Sequence, residues 1–357
     1  MASVILYLLV FSFAAISASF VQKKIAYVSY CPFGKQLLYA GFIMLMPIII
    51  ACWRYDIGID YATYEKTFTT IHNLSLADYQ SVIGSYEYLN KFIVDLGFCL
   101  AGNVTGVFSA YAIATLILYE MALLNFRKYI SLPTGTLILL LLLFSASLNI
   151  VRQSLSIAII FYSMKFVIER NIKAYIILIL IATGIHSSSF IAIIFYFLYS
   201  ERFSFKNRII RILIILSPLF FISAISYISG FVIFERYFES YDSTETDITK
   251  SYIIKLPILL LLLLSYKQLK KSDISGFFYY MYIMEWALLF SASVFKWAFR
   301  LSYYSYIGQI ILLAMASKKG IGNAWFYKSA SILWYLIYFY ILFYLWGRDG
   351  IFPYKML

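Results

Sequence analysis

Residues 132–168 read LPTGTLILLLLLFSASLNIVRQSLSIAIIFYSMKFVI. Two apolar stretches flank one polar word, Asn149-Ile150-Val151-Arg152-Gln153-Ser154. Each stretch is too apolar to lie in water and shows no strict alternation that would mark a strand. A single lipid-exposed segment satisfies its backbone polar groups only as a helix, so the pair reads as a helical hairpin through a bilayer with Arg152 at its turn.

The rest of the chain extends that pattern. Of 357 residues, 63% are hydrophobic, 20% aromatic and 13% charged. The mean hydropathy is +0.83. A soluble domain carries about a quarter charged residues, so a water-soluble globule is excluded. Apolar runs lie at 3–21, 37–53, 104–125, 132–149, 151–168, 174–187, 188–200, 209–227, 252–266, 274–294, 298–316 and 328–346. With about 20 residues per crossing, the expectation is an all-α polytopic integral membrane protein, a single transmembrane domain over 1–357 with about 12 transmembrane helices. The short run at 188–200 makes Gly184–Ser189 a tight hairpin or a broken helix. The first run lacks a basic stretch before it and reads as a span rather than a cleaved signal peptide.

Lysine and arginine placement predicts orientation. The loops on one side hold sixteen cations, among them Lys23, Lys24, Arg127, Lys128, Arg170, Lys173, Lys270, Lys271, Lys318 and Lys319, against Glu120, Glu169, Glu201 and Asp273. The other side holds eleven cations and twelve acids. The basic side is expected in the cytoplasm and both termini outside. The net charge of +12 then follows from topology and anionic headgroups, and no nucleic acid is implied. Cys31, Cys52 and Cys99 are odd in number without CxxC spacing, which points to neither a disulfide framework nor a thiolate metal site; they read as small apolar fillers. No Walker loop or GxGxxG suggests nucleotide chemistry.

Chemistry is expected on the outer side, where two loops are long. The first, 54–103, includes an amphipathic stretch at 86–100 that is re-entrant or interfacial. The second, 228–251, interleaves Glu235, Glu239, Asp242, Glu245 and Asp247 with aromatics, which suits sugar binding or a plain solvated surface.

Four outer helix ends concentrate polar groups. Arg54, Asp56, Asp60, Tyr61 and Tyr64 supply a cation, carboxylates and aromatic faces, or else an interfacial belt. Arg152 offers a planar donor fork suited to phosphate, with Gln153 beside it; the competing reading is an arginine snorkelling to the headgroups. His186 lies among Thr183, Ser187, Ser188 and Ser189 and reads as a base, a phosphate donor or a structural histidine. Arg300 comes with Tyr303 and Tyr304, a phosphate site or an anchor. Glu285 lies within a span and must be paired, hydrated or protonated; it reads as a holder of an arginine or part of a proton path. His72 has no metal-like company, and no metal site is expected.

The order of several short motifs carries a resemblance. Arg54-Tyr-Asp-Ile-Gly-Ile-Asp60-Tyr61 with Tyr64, Glu87-Tyr-Leu-Asn-Lys, Val151-Arg152-Gln153, His186-Ser-Ser, Arg300-Leu-Ser-Tyr-Tyr and Pro353-Tyr354-Lys355 follow one another as in the EpsG-like, Wzy-type polysaccharide polymerases. The resemblance covers nearly the whole chain, with Gly58-Ile59-Asp60 where Gly-Thr-Asp is common. It implies a membrane glycosyltransferase of the GT-C type in the bacterial inner membrane, making O-antigen, capsule or exopolysaccharide. Such an enzyme transfers an undecaprenyl-pyrophosphate-linked glycan onto the non-reducing end of a new lipid-linked repeat unit at the periplasmic face, without metal or cofactor. Membrane lipids and a chain-length regulator are the implied partners. In that scheme Arg152 and Arg300 neutralise the departing pyrophosphate, and Asp60 or His186 takes the acceptor proton. Arg54, Tyr61, Tyr64, Glu87, Gln153, Tyr303 and Tyr354 bind substrate or fix the arginines. An O-antigen ligase or a lipid-linked oligosaccharide flippase are the competing functions.

Overall fold

The computed structural model describes residues 2–25, 31–83, 87–199, 209–217, 252–272, 274–293, 297–320 and 322–356. The acidic loop expected at 228–251 lies outside the described residues. The described residues are helical, joined by turns and one isolated bridge between Arg54 and Met356. They divide into two compact units, 1–192 with 313–357, and 193–312.

In the first unit α1 (Ala2–Lys24) and α2 (Phe33–Cys52) lead into three short helices, α3 (Tyr61–Asn73), α4 (Leu76–Ile83) and α5 (Tyr88–Ala101). Then follow α6 (Val104–Asn125), α7 (Leu132–Asn149), α8 (Val151–Ile168) and α9 (Ile172–Ile185). The long loop expected at 54–103 is therefore largely helical among its described residues. Central to the unit is α6, which packs against α2, α5, α7 and α8. Apolar all round, α7 is buried without a break from Ile138 to Asn149. A helix of that kind belongs in a core, and here the other helices enclose it.

Local chemistry sets the boundaries. Gly102 ends α5 in the left-handed conformation, and the Asn103 carboxamide accepts from the backbone N–H groups of Thr105 and Gly106 to start α6. The resulting hairpin is tight because both helices present glycine. A Cβ on Gly106 would stand 2.2 Å from the Gly97 carbonyl oxygen. Such close approach of small residues is a common way to join helices in lipid. At the opposite end, Gln22 accepts from Leu132 N–H and donates to the Ile130 carbonyl, tying α1 to the start of α7. Glu120, expected with the basic loops, lies fully buried within α6, where the Thr136 hydroxyl meets its carboxylate.

After α9 the chain turns at His186 and continues as a 3-10 segment, Ser187–Ile194, and the short α10 (Phe195–Leu198). This is the break expected near Gly184–Ser189. The second unit contains α11 (Leu256–Leu269), α12 (Ser275–Ser291), α13 (Trp297–Ser302) and the start of α14 (Ile307–Ala316). The run expected as one span at 298–316 is interrupted by a 3-10 turn at Tyr303–Ser305, where the Ser302 hydroxyl bonds back to the Phe299 carbonyl. The last helix, α15 (Ala324–Phe339), runs on through a π-helical turn at Tyr340–Leu345.

Six helices among the described residues are long and apolar enough to cross a membrane: α1, α2, α6, α7, α8 and α15 with its extension to Leu345. Shorter apolar helices include α9, the Ser187–Leu198 segment and α11. The chain is an all-α polytopic membrane protein.

Candidate functional site

Two groups of predicted residues come together in the first unit, both beside the first two turns of α6 and the turn from α7 to α8. The first is built on the loop after α2. Asp56 has φ 51 and Gly58 φ 109, and a Cβ on Gly58 would meet the Leu148 carbonyl oxygen at 2.9 Å. Only glycine fits that turn without strain. The C-terminal tail lies along the loop: Tyr55 and Gly58 donate their N–H groups to the carbonyls of Lys355 and Gly350, and Lys355 Nζ meets Asp56 Oδ2 at 2.7 Å.

Within this scaffold Arg54 points inward, 2% exposed. Its Nη1 donates to the Leu148 carbonyl near the end of α7, and its guanidinium lies 4.9 Å from the centre of the Phe108 ring. A cation on a helix C-terminus is favourably placed. Burial draws its pKa down to about 10, so it keeps its charge at neutral pH. Tyr61 stacks on Phe108 at 4.6 Å, and the Tyr354 hydroxyl donates to the Ile50 carbonyl. Burial pushes both phenols up, which leaves them neutral donors. Asp60 precedes α3; its N–H donates to Asn149 Oδ1 at 2.9 Å, and Asn149 Nδ2 donates to Asp349 Oδ1 at 3.4 Å. Asn149 thereby fixes the Asp60 backbone three residues before Arg152.

The second group centres on Arg152, in the first turn of α8. Arg152 Nη1 meets Glu87 Oε2 at 2.7 Å. The other oxygen, Glu87 Oε1, accepts the Ser187 N–H at 2.7 Å and stands 3.6 Å from His186 Nδ1. Glu87 is nearly buried, while Arg152 and His186 remain about one-fifth exposed, at 22% and 20%. One carboxylate thus accepts from a guanidinium and a backbone amide, with an imidazole 3.6 Å away. Its own backbone is held in turn: the Tyr79 hydroxyl donates to the Glu87 carbonyl, Asn90 Nδ2 to the Tyr79 oxygen, and the Tyr111 hydroxyl to Asn90 Oδ1. Tyr64 stacks on Phe68, which stacks on Tyr111, and Tyr64 and Tyr111 are electrostatic neighbours of Arg152. Gln153 is buried in the packing at 2% exposure.

Arg300 and Tyr303 belong to the second unit. The Arg300 guanidinium lies 5.2 Å from the centre of the Trp297 ring, and Tyr303 is buried between the rings of Phe299 and Tyr306. Glu285 is fully buried and pairs with Lys255 rather than with an arginine. Gln309 Nε2 reaches both its oxygens at 3.0 Å, and Lys255 Nζ lies 4.0 Å from the Tyr306 ring centre.

Sequence reasoning passed over Asp349, Asn90, Tyr79, Phe108 and Tyr111. The Gly347-Arg348-Asp349-Gly350 turn was a legible signal for the first, since Asp349 sits at φ 64 between two glycines of positive φ. Phe108 and Tyr111 look like ordinary aromatics of an apolar helix, Tyr79 lies in a short polar one, and Asn90 was legible only as part of the Glu87-Tyr-Leu-Asn-Lys motif; the tertiary contacts single them out.

No curated protein and no solved structure matches the chain. The EpsG family pattern matches residues 37–356, which takes in the Arg54 loop, Glu87, Arg152, His186 and the tail. With nine-tenths of its length covered, the chain belongs to the EpsG family of membrane proteins, associated with exopolysaccharide biosynthesis.

Proposed function

We propose that the chain is a Wzy-type polymerase, a GT-C membrane glycosyltransferase with about 12 crossings and both termini periplasmic. It transfers an undecaprenyl-pyrophosphate-linked glycan to the non-reducing end of a new lipid-linked repeat unit. The observation that carries this reading is the Arg152–Glu87–Ser187 junction with His186 beside it, at the end of the bundle where the Asp60 loop is also pinned. A guanidinium already oriented by a carboxylate and still 22% exposed suits a diphosphate leaving group. Preorganised donors stabilise developing charge more strongly than water does.

In the proposed step the acceptor hydroxyl attacks the anomeric carbon of the donor. The new C–O bond forms as the bond to pyrophosphate breaks, and the bonding electrons leave on the lipid pyrophosphate. Asp60 takes the hydroxyl proton, and Arg152 with His186 meets the charge that grows on the leaving group. Arg300, with Tyr303, is proposed as a phosphate-binding group of the second unit. Arg54 and Tyr354, turned inward, are positioning residues; Tyr61, Tyr64 and Glu87 complete the surroundings of the two groups.

Purified protein incubated with synthetic undecaprenyl-pyrophosphate repeat units tests the reading. A ladder of elongated glycans is expected, weakened at least tenfold by Arg152→Lys, which keeps the charge and loses the fork, and by Asp60→Asn. Translocation without elongation would instead mark a flippase, and transfer only to a lipid A core acceptor would mark a ligase.

A further inference from the structure

With the charged loops at Arg127–Lys128 and Arg170–Lys173 taken as one boundary of the hydrocarbon, the helix lengths give the depth of the Arg152 junction. Tyr111, whose hydroxyl bonds Asn90, is fourteen residues from the inner end of α6 at Asn125. At 1.5 Å per residue that is about 21 Å. Arg152 is sixteen residues from the end of α8 at Ile168, or about 24 Å, and α9 is about 21 Å long when it stops at Ile185 beside the same junction. These three helices end near Arg127, Lys128, Arg170 and Lys173, the charged loops of the opposite side. A hydrocarbon core is about 30 Å thick, so the junction falls short of the far boundary by several ångströms. Beyond it α6 runs on for another seven residues, to Val104.

α5 occupies that remaining stretch. Its first turn meets the end of α9, where Leu89 packs against Gly184 and Ser187 N–H bonds Glu87, and it then climbs α6 from Tyr111 to the Gly97–Gly106 contact. One face is buried, with Asn90, Lys91, Val94 and Gly97. The other exposes Leu89, Phe92, Leu96 and Leu100, at 36%, 62%, 41% and 74%, while to one side of this stripe Asp95, 43% exposed, is paired with Lys91 and meets His72 of α3. This stripe takes over from the exposed Ile176, Ile177, Leu180 and Ile181 of α9. The backbone groups where one helix hands over to the other are satisfied by protein: Glu87 takes Ser187 N–H, and Asn90 N–H donates to the Glu87 carbonyl. Non-helical backbone at membrane depth requires that condition.

We infer that α5 is inserted in the leaflet on the Arg152 side, with acyl chains covering Leu89, Phe92, Leu96 and Leu100, so that α9 and α5 together act as one interrupted crossing with the Arg152–Glu87 pair at the break. The inference stands apart from the polymerase reading, since it concerns depth and not turnover. Its consequence is that a ligand of Arg152 approaches from within the leaflet, as a lipid headgroup does.

Nitroxide labels in nanodiscs test it. With Cys31, Cys52 and Cys99 changed to alanine, single Phe92→Cys and Leu96→Cys variants are compared with Leu180→Cys as a lipid-facing control and Lys319→Cys as an aqueous one. Collision with oxygen at 92 and 96 is expected to match position 180 and to exceed collision with a water-soluble nickel chelate several-fold. Chelate access like that at position 319 would overturn the inference, and so would protection from both agents, which would mean a protein cover. In the native-cysteine background, benzoylphenylalanine in place of Phe92 should photo-cross-link to radiolabelled phospholipid; absence of the lipid adduct would count equally against it.

Discussion

Each oxygen of Glu87 has its own partner, Arg152 Nη1 on one and the Ser187 amide on the other, both at 2.7 Å. Substitution by glutamine preserves one acceptor and turns the other into a donor that faces a donor. Arg152 would then be left largely enclosed without its counter-charge. Losing one partner of a buried pair costs about 3–5 kcal/mol, and the part-exposed guanidinium reduces that to roughly 1–3 kcal/mol. Glu87→Gln and Arg152→Gln should each lower thermal stability in detergent by that order. The double variant should lose less than the sum, by about 1 kcal/mol or more, because the second change removes a group already without a partner. Strict additivity in the melting curves would mean that the two side chains meet without energetic coupling. Arg54 is a different case, since its contacts are a helix-end carbonyl and a ring face, so its removal should loosen the loop it anchors.

At the scale of elements, the junction depends on how closely α5 lies on α6. Gly106→Val would drive a branched side chain into the Gly97 carbonyl, where even a Cβ would stand at 2.2 Å. Backbone cannot yield as a side-chain tip can, so α5 must shift outward and carry Glu87 with it. Overpacking of this kind costs about 1–3 kcal/mol. The expected result is a lowered melting temperature together with loss of cross-linking between cysteines placed at 87 and 187, whereas a variant that keeps the cross-link would show that α5 can move without its first turn. Little of this contact was legible beforehand. The long apolar helices were, because lipid demands about 20 apolar residues and α6, α7 and α8 supply them with boundaries close to those expected. The amphipathic stretch at 86–100 was also visible, and it is α5. By contrast α3 and α4, polar and largely exposed, carry no hydropathy signal, and the partner of Glu285 turned out to be a lysine at the head of another apolar run. Periodicity says that a buried carboxylate needs a partner and cannot say which one.

For the molecule as a whole, the ends of the chain close on its middle. Tyr354 N–H donates to the Ser3 hydroxyl, Tyr7 donates to the Ile351 carbonyl, and the tail from Asp349 to Lys355 lies along residues 55–59 while Asp349 receives Asn149. α1, the Arg54 loop, the α7–α8 turn and the tail are thus fastened by contacts spanning up to 351 residues of sequence. The motif order hinted that these segments belong together, but the Asp349 contact that joins them had to be seen in the fold. Ending the chain after Trp346 would remove every tail contact at once and leave all six long apolar helices intact, so the protein should still insert in the membrane. What should change is the loop. With the carbonyls of Asp349, Gly350 and Lys355 gone, the N–H groups of Tyr55, Gly58 and Ile59 lose their acceptors, and the left-handed Asp56 and Gly58 lose what holds them. Limited proteolysis should then cut between residues 54 and 61 at least tenfold faster than in the full chain, and amide exchange at Gly58 should rise, while α7 stays protected. Equal cleavage rates would show that the loop keeps its shape without the tail and that Asp60 is positioned by Asn149 alone.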